Sequence, residues 1–377
     1  MILSNSKKIA FLTGTRADFG KIKSLIQILQ GNEHFEAHIF VTGMHMMHEY
    51  GYTLIEVERS GFKNISIFEN HTDESTMDLT LAKTIEGFSA YVKEINPDLI
   101  VVHGDRVEAL AGAIVGSLNN ILVAHIEGGE LSGTIDELIR HSVSKLSHIH
   151  FVSNTDAERR LIQMGEIKES IYTIGSPDVD IMFSDNLPIL NEVKEYYQIP
   201  FDKYAVVMFH PVTTEVKYME MYAANFVDAL LKSDKNYVII YPNNDLGSKH
   251  IMQAYKKLKD NERFKIFPSI RFEYFLTLLK NTNFIIGNSS AGIREAPYYG
   301  IPTINIGTRQ KNRSVHTHIL NVDYTTEKIV KAIGSNLKKV VVKSEDFGNG
   351  NSAQQFLKSL KSEELWKLDH QKQFREV

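Results

Sequence analysis

Short apolar runs rich in β-branched residues alternate with amphipathic segments along the chain, and this alternation limits its fold more than any other feature. Strands that are apolar throughout are buried on both faces, which is typical of a parallel sheet covered by helices. Helical spacing is clearest at residues 21–29 and 107–118. The strands predicted in the first half are residues 9–13, 38–42, 99–103, 121–126 and 148–152.

A polar stretch with three prolines interrupts the alternation near the middle of the chain. Residues 175–200 include Pro177, Pro188 and Pro200, which indicates a linker. A second series of strand and helix patterns follows the linker. The strands predicted there are residues 204–209, 237–241, 264–267, 284–287 and 303–306.

These patterns predict an α/β protein with two doubly wound, Rossmann-like domains. A length of 377 residues is long for a single core, which supports the division. We place the domains at residues 1–180 and 181–350. The terminal segment, residues 351–377, is expected to form an amphipathic helix over 352–374.

Composition excludes several classes of protein. The 42 Lys and Arg against 46 Asp and Glu give a net charge of -4, so no overall positive field attracts nucleic acid or an anionic membrane. The absence of cysteine excludes disulfide scaffolds, thiolate zinc sites and cysteine nucleophiles. No stretch of about 18 apolar residues is present, as a membrane span would need. We therefore expect a cytoplasmic protein.

Ligands of open parallel sheets bind at the carboxyl ends of the strands, so functional residues are expected in the loops that follow the strands. In GTRADFG, Arg16 follows the first strand, and the next helix is expected to begin near Asp18. A guanidinium beside the free N–H groups of a helix start suits a phosphate. The alternative is an Asp-capped helix with a solvated arginine. Neither a Walker loop nor the three-glycine dinucleotide motif is present.

Three carboxylates follow neighbouring strands of the first domain. Asp105 lies in HGDR, Glu127 lies in HIEGGE, and Asp136 lies in TIDELIRH, four residues before Arg140. Asp105 could instead cap the next helix, and Asp136 could form a surface ion pair with Arg140. Carboxylates that converge on one place suit proton transfer, because crowding and burial separate their pKa values.

In the second half, GNSSAGIREAP follows a predicted strand. Ser289, Ser290 and Gly292 at a helix start would form a diphosphate cradle, and Glu295 could hold ribose hydroxyls. A plain Ser-capped helix is the alternative. The histidines lack the spacing of a metal site, and the loop at residues 44–48 is expected to pack as a lid. We expect no metal.

The motifs GTRAD, HGDR, HIEGGE, TIDELIRH, FHPVTTE, YPNND, GNSSAGIREAP and GTRQKNR lie in order between about residues 8 and 320. Together they resemble the hydrolysing UDP-N-acetylglucosamine 2-epimerase family of the sialic-acid pathway type. The resemblance implies glycosyltransferase-B architecture with UDP in the interdomain cleft. It also implies a terminal helix that returns to the first domain, and a homodimer or homotetramer.

The resemblance also implies roles for individual residues. Asp105, Glu127 and Asp136 match the catalytic acids of the family. His210 matches a residue near the diphosphate and is counted with the catalytic group. The residues that match substrate or UDP contacts are Arg16, Gly20, Arg106, Asn243, Ile270, Ser289, Ser290, Gly292, Glu295 and Arg309.

The stretches TGMH, HPVTTE, PSIRFEYF and LLKN look closer to enzymes of legionaminic-acid synthesis, whose substrate is UDP-N,N'-diacetylbacillosamine. The sugar is therefore left open between that compound and UDP-N-acetylglucosamine. The expected reaction is anti elimination of UDP through a 2-acetamidoglycal and then hydration, with no cofactor. The alternatives are a non-hydrolysing 2-epimerase, a glycosyltransferase of the same architecture, and a catalytically silent nucleotide-sugar-binding regulator.

Overall fold

Two compact units divide the chain. The computed structural model describes residues 6–71, 76–132, 135–310, 319–335, 337 and 346–376. Unit 1 comprises Met1–Glu130, Asp136–Ser184 and Asp346–Val377, and unit 2 comprises Leu131–Ile135 and Asp185–Glu345.

Unit 1 contains a seven-stranded parallel sheet with the order β3-β2-β1-β4-β5-β6-β7. The order reverses between β1 and β4, where Ile9 pairs with Leu99, so the sheet is doubly wound. In such sheets the ligand crevice lies at the carboxyl ends of the strands beside the reversal. The strands are β1 (Lys7–Thr13), β2 (Phe35–Val41), β3 (Ile65–Ile67), β4 (Leu99–His103), β5 (Leu122–Ile126), β6 (Ile149–Val152) and β7 (Ile171–Thr173).

The helices of unit 1 cover the sheet with apolar faces. Along α1, Ile22, Leu25, Ile26 and Leu29 recur at three-to-four spacing and are all buried. The helices are α1 (Arg16–Leu29), α2 (Leu54–Glu58), α3 (Met77–Ile95), α4 (Val107–Leu118), α5 (Ile135–Leu146), α6 (Thr155–Gln163) and α7 (Pro177–Met182). Short 3-10 helices lie at Gly43–Met46, His48–Tyr50 and Lys168–Ser170.

Unit 2 contains a six-stranded parallel sheet with the order β10-β9-β8-β11-β12-β13. This sheet is also doubly wound, with the reversal between β8 and β11, where Val206 pairs with Ile285. The structure therefore confirms two parallel α/β domains. The strands are β8 (Ala205–Met208), β9 (Tyr237–Ile240), β10 (Phe264–Phe267), β11 (Ile285–Gly287), β12 (Thr303–Ile306) and β13 (Ile319–Val322).

The helices of unit 2 pack on both faces of this sheet. Phe209, after β8, stacks on Phe226 of the following helix with ring centroids 4.6 Å apart. The helices are α8 (Leu190–Tyr196), α9 (Met219–Lys232), α10 (Ser248–Tyr255), α11 (Phe272–Asn281), α12 (Glu295–Tyr298) and α13 (Thr326–Ile333), and 3-10 helices lie at Thr213–Tyr218, Lys256–Leu258 and Ser290–Gly292.

The terminal segment differs from the single helix expected over residues 352–374. It forms α14 (Ser352–Leu360) and α15 (Glu363–Trp366), and the chain is irregular from there to residue 376. Trp366 Nε1 donates 2.8 Å to the Leu360 carbonyl, which closes the turn between the two helices. Phe356 of α14 packs edge-on against Phe151 of unit 1. Within the described ranges, no helix combines the length and the apolarity needed to cross a bilayer.

The irregular tail carries a lysine into a buried polar cluster of unit 1. Lys372 Nζ lies 2.5 Å from Glu166 Oε2 and donates 2.6 Å to the Ser147 carbonyl. His150 Nε2 lies 3.0 Å from the same carboxylate oxygen, and Lys145 Nζ lies 2.7 Å from the other. Burial alone would raise the pKa of Glu166, but the hydrogen bond with His150 and the charge of Lys372 outweigh it and lower the pKa to about 2.

Glu166→Gln is expected to lower the free energy of unfolding by about 3 kcal/mol at neutral pH, because it leaves the amine of Lys372 buried without its counter-charge. The folded pKa of about 2 lies below the ordinary 4.5, so this stabilisation is complete above pH 4.5 and is lost as the pH falls towards 2. Urea unfolding of wild type and variant near pH 7 and pH 3 checks both statements. Glu364→Gln, at an exposed pair with Lys367, is the control and should change stability little. If the free energy of unfolding differed between wild type and Glu166→Gln by the same amount at both pH values, the prediction would be contradicted.

Candidate active site

The first group of candidate residues follows three neighbouring strands of unit 1. Strands β1, β4 and β5 are adjacent, and their last residues are Thr13, His103 and Ile126. The Gly104 N–H donates 3.0 Å to the Ile126 carbonyl, which ties the loop after β4 to the end of β5. The side chains that leave these strand ends therefore meet at one edge of the sheet.

Arg140 of α5 joins two of these loops. One guanidinium nitrogen, Nη2, donates to Asp105 after β4, and Nη1 donates 2.6 Å to the backbone carbonyl of Glu127 after β5. The arginine side chain is 4% exposed, so this ion pair is shielded from solvent. Asp136 lies one turn earlier on α5, four residues from Arg140 and on the same side of the helix.

Glu127 is held at its backbone and at both carboxylate oxygens. Its φ is +65°, a left-handed conformation that is uncommon for a residue with a side chain and concentrates at functional sites. The Ser176 hydroxyl donates to Oε1, and His103 Nε2 lies 3.1 Å from Oε2. Glu127 is 2% exposed. A buried carboxylate with a hydrogen-bond partner on each oxygen has a fixed orientation.

Lys21 of α1 adds a cation to this group. Its amine lies 3.7 Å from Glu127 Oε2 and 3.1 Å from Asp178 Oδ2 at the start of α7. Both partners are buried. The positive charge is therefore shared between two carboxylates.

His125, inside β5, fixes the loop that carries Asp105. Burial lowers the pKa of His125 well below its usual range, so the imidazole is neutral. Nε2 lies 2.8 Å from the Gly104 carbonyl, which can only accept, so Nε2 carries the proton. Nδ1 then accepts from the Ser144 hydroxyl at 3.0 Å.

Two arginines of the same unit lie beside carboxylates. Arg106 Nε donates 3.3 Å to Glu108, which is 1% exposed, and Arg16 Nη2 lies 3.7 Å from Glu56. The loops after β1 and β2 approach Glu108 closely, and a side chain at Gly43 would meet its carboxylate at 2.7 Å. The guanidinium groups of these arginines can form hydrogen bonds with a negatively charged ligand group.

The start of α1 differs from its predicted form. The helix begins at Arg16, and the Thr15 hydroxyl, not an aspartate, caps it by accepting from the Asp18 N–H. Asp18 is buried, with Oδ1 accepting from Thr13 and Oδ2 accepting from the Gly14 N–H at 2.9 Å. The alternative of an Asp-capped helix is therefore wrong. Burial raises the pKa of Asp18 despite these hydrogen bonds.

The second group of candidates lies in unit 2, where each of five strands is followed by at least one predicted residue. His210 follows β8, Asn243 follows β9, and Ile270 follows β10. Ser289 and Ser290 follow β11, and Arg309 follows β12. All belong to loops at the carboxyl edge of one sheet.

Asn288 locks the His210 loop to the end of β11. Its Oδ1 accepts from the His210 N–H at 2.6 Å, and its Nδ2 donates 2.8 Å to the His210 carbonyl. His210 Nδ1 accepts from the Asn243 N–H at 3.1 Å, so Nε2 carries the proton when the ring is neutral. The loop after β12 joins through Arg309 and Gln310, which donate to the Asn288 carbonyl.

The serine-rich segment is a 3-10 turn, not the helix start that was predicted. Ser289 accepts from the Ala291 N–H at 3.3 Å and begins the turn Ser290–Gly292, and α12 starts only at Glu295. Gly287 permits the sharp exit from β11, with φ at +137° and space for no side chain, since a Cβ would lie 1.9 Å from the Met208 carbonyl oxygen. Small residues and backbone N–H groups nevertheless lie at the end of β11, and these are the groups that bind phosphate in such turns.

The structure brings Asp105, Glu127 and Asp136 to the neighbourhood of Arg140. It overturns one alternative, because α4 begins at Val107 with no side-chain cap, so Asp105 does not cap it.

Sequence reasoning missed four polar residues around Glu127. Lys21 was only the first residue of a predicted helical segment, and His103 only the last residue of a predicted strand. Ser176 and Asp178 fell within the predicted linker.

Gly20 and Glu295 are both buried, Gly20 within α1 and Glu295 at the start of α12. Ile270 is 4% exposed. In the described part of the chain, no three His, Asp or Glu side chains are grouped as ligands for a metal ion.

A family model of UDP-N-acetylglucosamine 2-epimerase matches residues 27–361. A protein of Neisseria meningitidis named UDP-N-acetylglucosamine 2-epimerase is 50% identical over 98% of both chains. The UDP-N,N'-diacetylbacillosamine 2-epimerase (hydrolyzing) of Legionella pneumophila is 32% identical over 94% of this chain and 96% of that protein.

The crystal structure of a UDP-GlcNAc 2-epimerase from Methanocaldococcus jannaschii, in complex with UDP-GlcNAc and UDP, has a TM-score of 0.80 and 25% identity to this chain. The match covers 94% of this chain and 99% of that one. This similarity confirms the expected glycosyltransferase-B-like fold class.

Arg140→Met is expected to lower the free energy of unfolding by about 2 to 4 kcal/mol, because it leaves the Glu127 carbonyl without its donor and Asp105 without its counter-charge. Urea unfolding followed by circular dichroism measures the loss. The matched control is Arg159→Met, which removes an exposed pair with Asp156 and should change stability by less than about 0.5 kcal/mol. Equal losses in the two variants would contradict the role given to Arg140.

Proposed function

This chain belongs to the UDP-N-acetylglucosamine 2-epimerase family, and we propose that it inverts C2 of a UDP-linked 2-acetamido sugar and releases UDP and the free manno-type sugar. The observation that carries the proposal is the pairing, through Arg140, of Asp105 with the loop of the buried Glu127. The same guanidinium binds the carboxylate of Asp105 and the backbone of Glu127, and two carboxylates at one edge of the sheet suit paired proton transfers.

Elimination must precede inversion in this chemistry. The C2 hydrogen of an acetamido sugar has no adjacent carbonyl carbon to acidify it, so direct deprotonation would be slow. When the C1–O bond breaks, its electron pair leaves with UDP, and the cationic C1 makes the C2 proton acidic. A carboxylate then accepts that proton, and the C1–C2 double bond of a 2-acetamidoglycal forms. Water next adds its oxygen at C1 and gives up one proton to a carboxylate, while a carboxylic acid protonates C2 from the face opposite to the one that lost its proton.

We assign the proton transfers to Asp105, Glu127 and Asp136. His210, whose Nε2 carries the proton when the ring is neutral, can donate to the departing diphosphate, and Arg16 and Arg106 can meet its charge. The proposed nucleotide contacts of unit 2 are Asn243, Ile270, Ser289, Ser290, Gly292, Glu295 and Arg309, with Gly20 beside the substrate in unit 1.

Two observations support hydrolysis and a role in nonulosonic acid synthesis. The Legionella relative is named as hydrolyzing and matches nearly the whole chain, and the motifs resemble the sialic-acid and legionaminic-acid enzymes. The name of the Neisseria relative favours UDP-N-acetylglucosamine as the sugar nucleotide. A non-hydrolysing epimerase and a glycosyltransferase are the competing activities, and the product distinguishes them.

Incubation in deuterated water should release UDP and a free sugar that carries deuterium at C2, because C2 is reprotonated from solvent-derived protons. Proton NMR of parallel reactions with UDP-N-acetylglucosamine and UDP-N,N'-diacetylbacillosamine identifies the preferred sugar. A C2-inverted nucleotide sugar would indicate the non-hydrolysing reaction instead. An intact substrate with no exchange at C2 would contradict both epimerase activities.

Asp105→Asn, Glu127→Gln and Asp136→Asn should each lower turnover by at least about a hundredfold, since an amide cannot accept or donate the transferred proton. UDP affinity measured by calorimetry should be retained. Glu137→Gln is the matched control, because Glu137 follows Asp136 on α5 and its carboxylate faces His141 in a partly exposed pair. Near-normal turnover in all three variants would refute the assignment.

A further inference from the structure

The start of α7 brings two buried polar residues to Glu127, and the reaction proposed above uses neither. The Ser176 hydroxyl donates to Glu127 Oε1 across 49 positions of sequence. Asp178, two residues later, lies 3.1 Å from the amine of Lys21, which in turn lies 3.7 Å from Glu127 Oε2. One helix start therefore reaches both oxygens of the carboxylate, directly at Oε1 and through Lys21 at Oε2.

Ser176 is fixed by its surroundings. It is fully buried, it precedes Pro177 at the first position of α7, and its own N–H donates 2.7 Å to the Phe347 carbonyl. The backbone of Ser176 is therefore held in place by contacts that do not involve Glu127.

The helix itself is anchored where the chain returns to unit 1. The chain leaves unit 1 after Ser184 and returns to it at Asp346. The carboxylate of Asp180, on α7, accepts from the backbone N–H groups of Ser352 and Ala353 at 2.8 and 2.7 Å. The segment of unit 1 that ends at Ser184 and the segment that begins at Asp346 thus meet at α7.

We propose that Ser176 is a positioning residue for Glu127, whose hydroxyl keeps the carboxylate ionised and correctly oriented for proton transfer. This rests on the proposed function and on Glu127 acting there as the base that accepts the C2 proton. A hydrogen bond to the charged form of a carboxylate favours that form, and a donor on Oε1 opposite His103 on Oε2 prevents rotation. Loss of the hydroxyl therefore makes Glu127 protonate at a higher pH and leaves its orientation less defined.

The hydroxyl can be removed without changing any charge around Glu127. Ser176→Ala is therefore a direct test of the hydrogen bond, because any change in the titration of Glu127 comes from the lost donor. The charged and titratable groups that stay in place are Lys21 on α1, His103 at the end of β4, Asp105 after β4, Arg140 on α5 and Asp178 on α7.

The test is carbon-13 NMR titration of glutamate carboxyl groups, in which the Glu127 resonance is the one lost in Glu127→Gln. Ser176→Ala should raise the Glu127 pKa by about one unit, as expected for one hydrogen bond to a charged group. The acidic limb of the kcat profile should move to higher pH by the same amount, while UDP affinity stays unchanged. Ser233→Ala is the matched control, since Ser233 is a buried serine of unit 2 that donates to the Leu230 carbonyl.

An unchanged Glu127 titration in Ser176→Ala would overturn the proposal. A raised Glu127 pKa with no movement of the acidic limb of the kcat profile would also overturn it. Ser176 would then set the ionisation of Glu127 without affecting turnover. A wild-type protein that neither releases UDP nor exchanges C2 hydrogen would defeat the proposed function instead. The carboxyl titration would in that case still decide whether Ser176 sets the ionisation of Glu127.

Discussion

Arg140 donates to the Asp105 carboxylate and to the Glu127 backbone carbonyl, and the candidate site of unit 1 depends on this double contact. Two strand ends can be adjacent in a sheet while their loops point in different directions. A buried guanidinium removes that freedom, because its planar donors reach two acceptors in a fixed geometry. The helix that supplies Arg140 also carries Asp136, so the same contact sets where the third carboxylate lies.

Unit 2 joins the loops at its candidate site through the side chain of an amide rather than through an ion pair. Asn288 both donates to and accepts from the backbone of His210, and its own carbonyl accepts from Arg309 and Gln310. Three loops are thereby joined by an amide that needs no counter-ion. An amide adds no negative charge to this edge of the sheet, which suits an anionic nucleotide. Unit 1, in contrast, joins its loops through the ion pair of Arg140 with Asp105, and a charged site of this kind suits proton transfer.

Sequence patterns predicted the interior strands well and missed three edge strands. Strand β4 and helix α4 were predicted at their observed bounds, because an interior strand is apolar throughout and its helix shows a regular apolar face. The edge strands β3, β7 and β13 were missed, since each has at least one exposed residue that shortens its apolar run. The terminal helix was overextended because its pattern does not show that Trp366 closes a turn onto Leu360.

The sequence alone determines the order of strands and helices, and therefore which residues follow each strand; this is why Asp105, Glu127, His210 and Ser289 could be selected in advance. Only the tertiary structure decides the partners. Arg140 was four residues from Asp136 yet donates to Asp105, 35 positions away, and Glu127 accepts from Ser176, 49 positions away. Local spacing encodes neighbours within one helical turn, whereas contacts over such separations arise from the order of strands in the sheet and the packing of helices upon it.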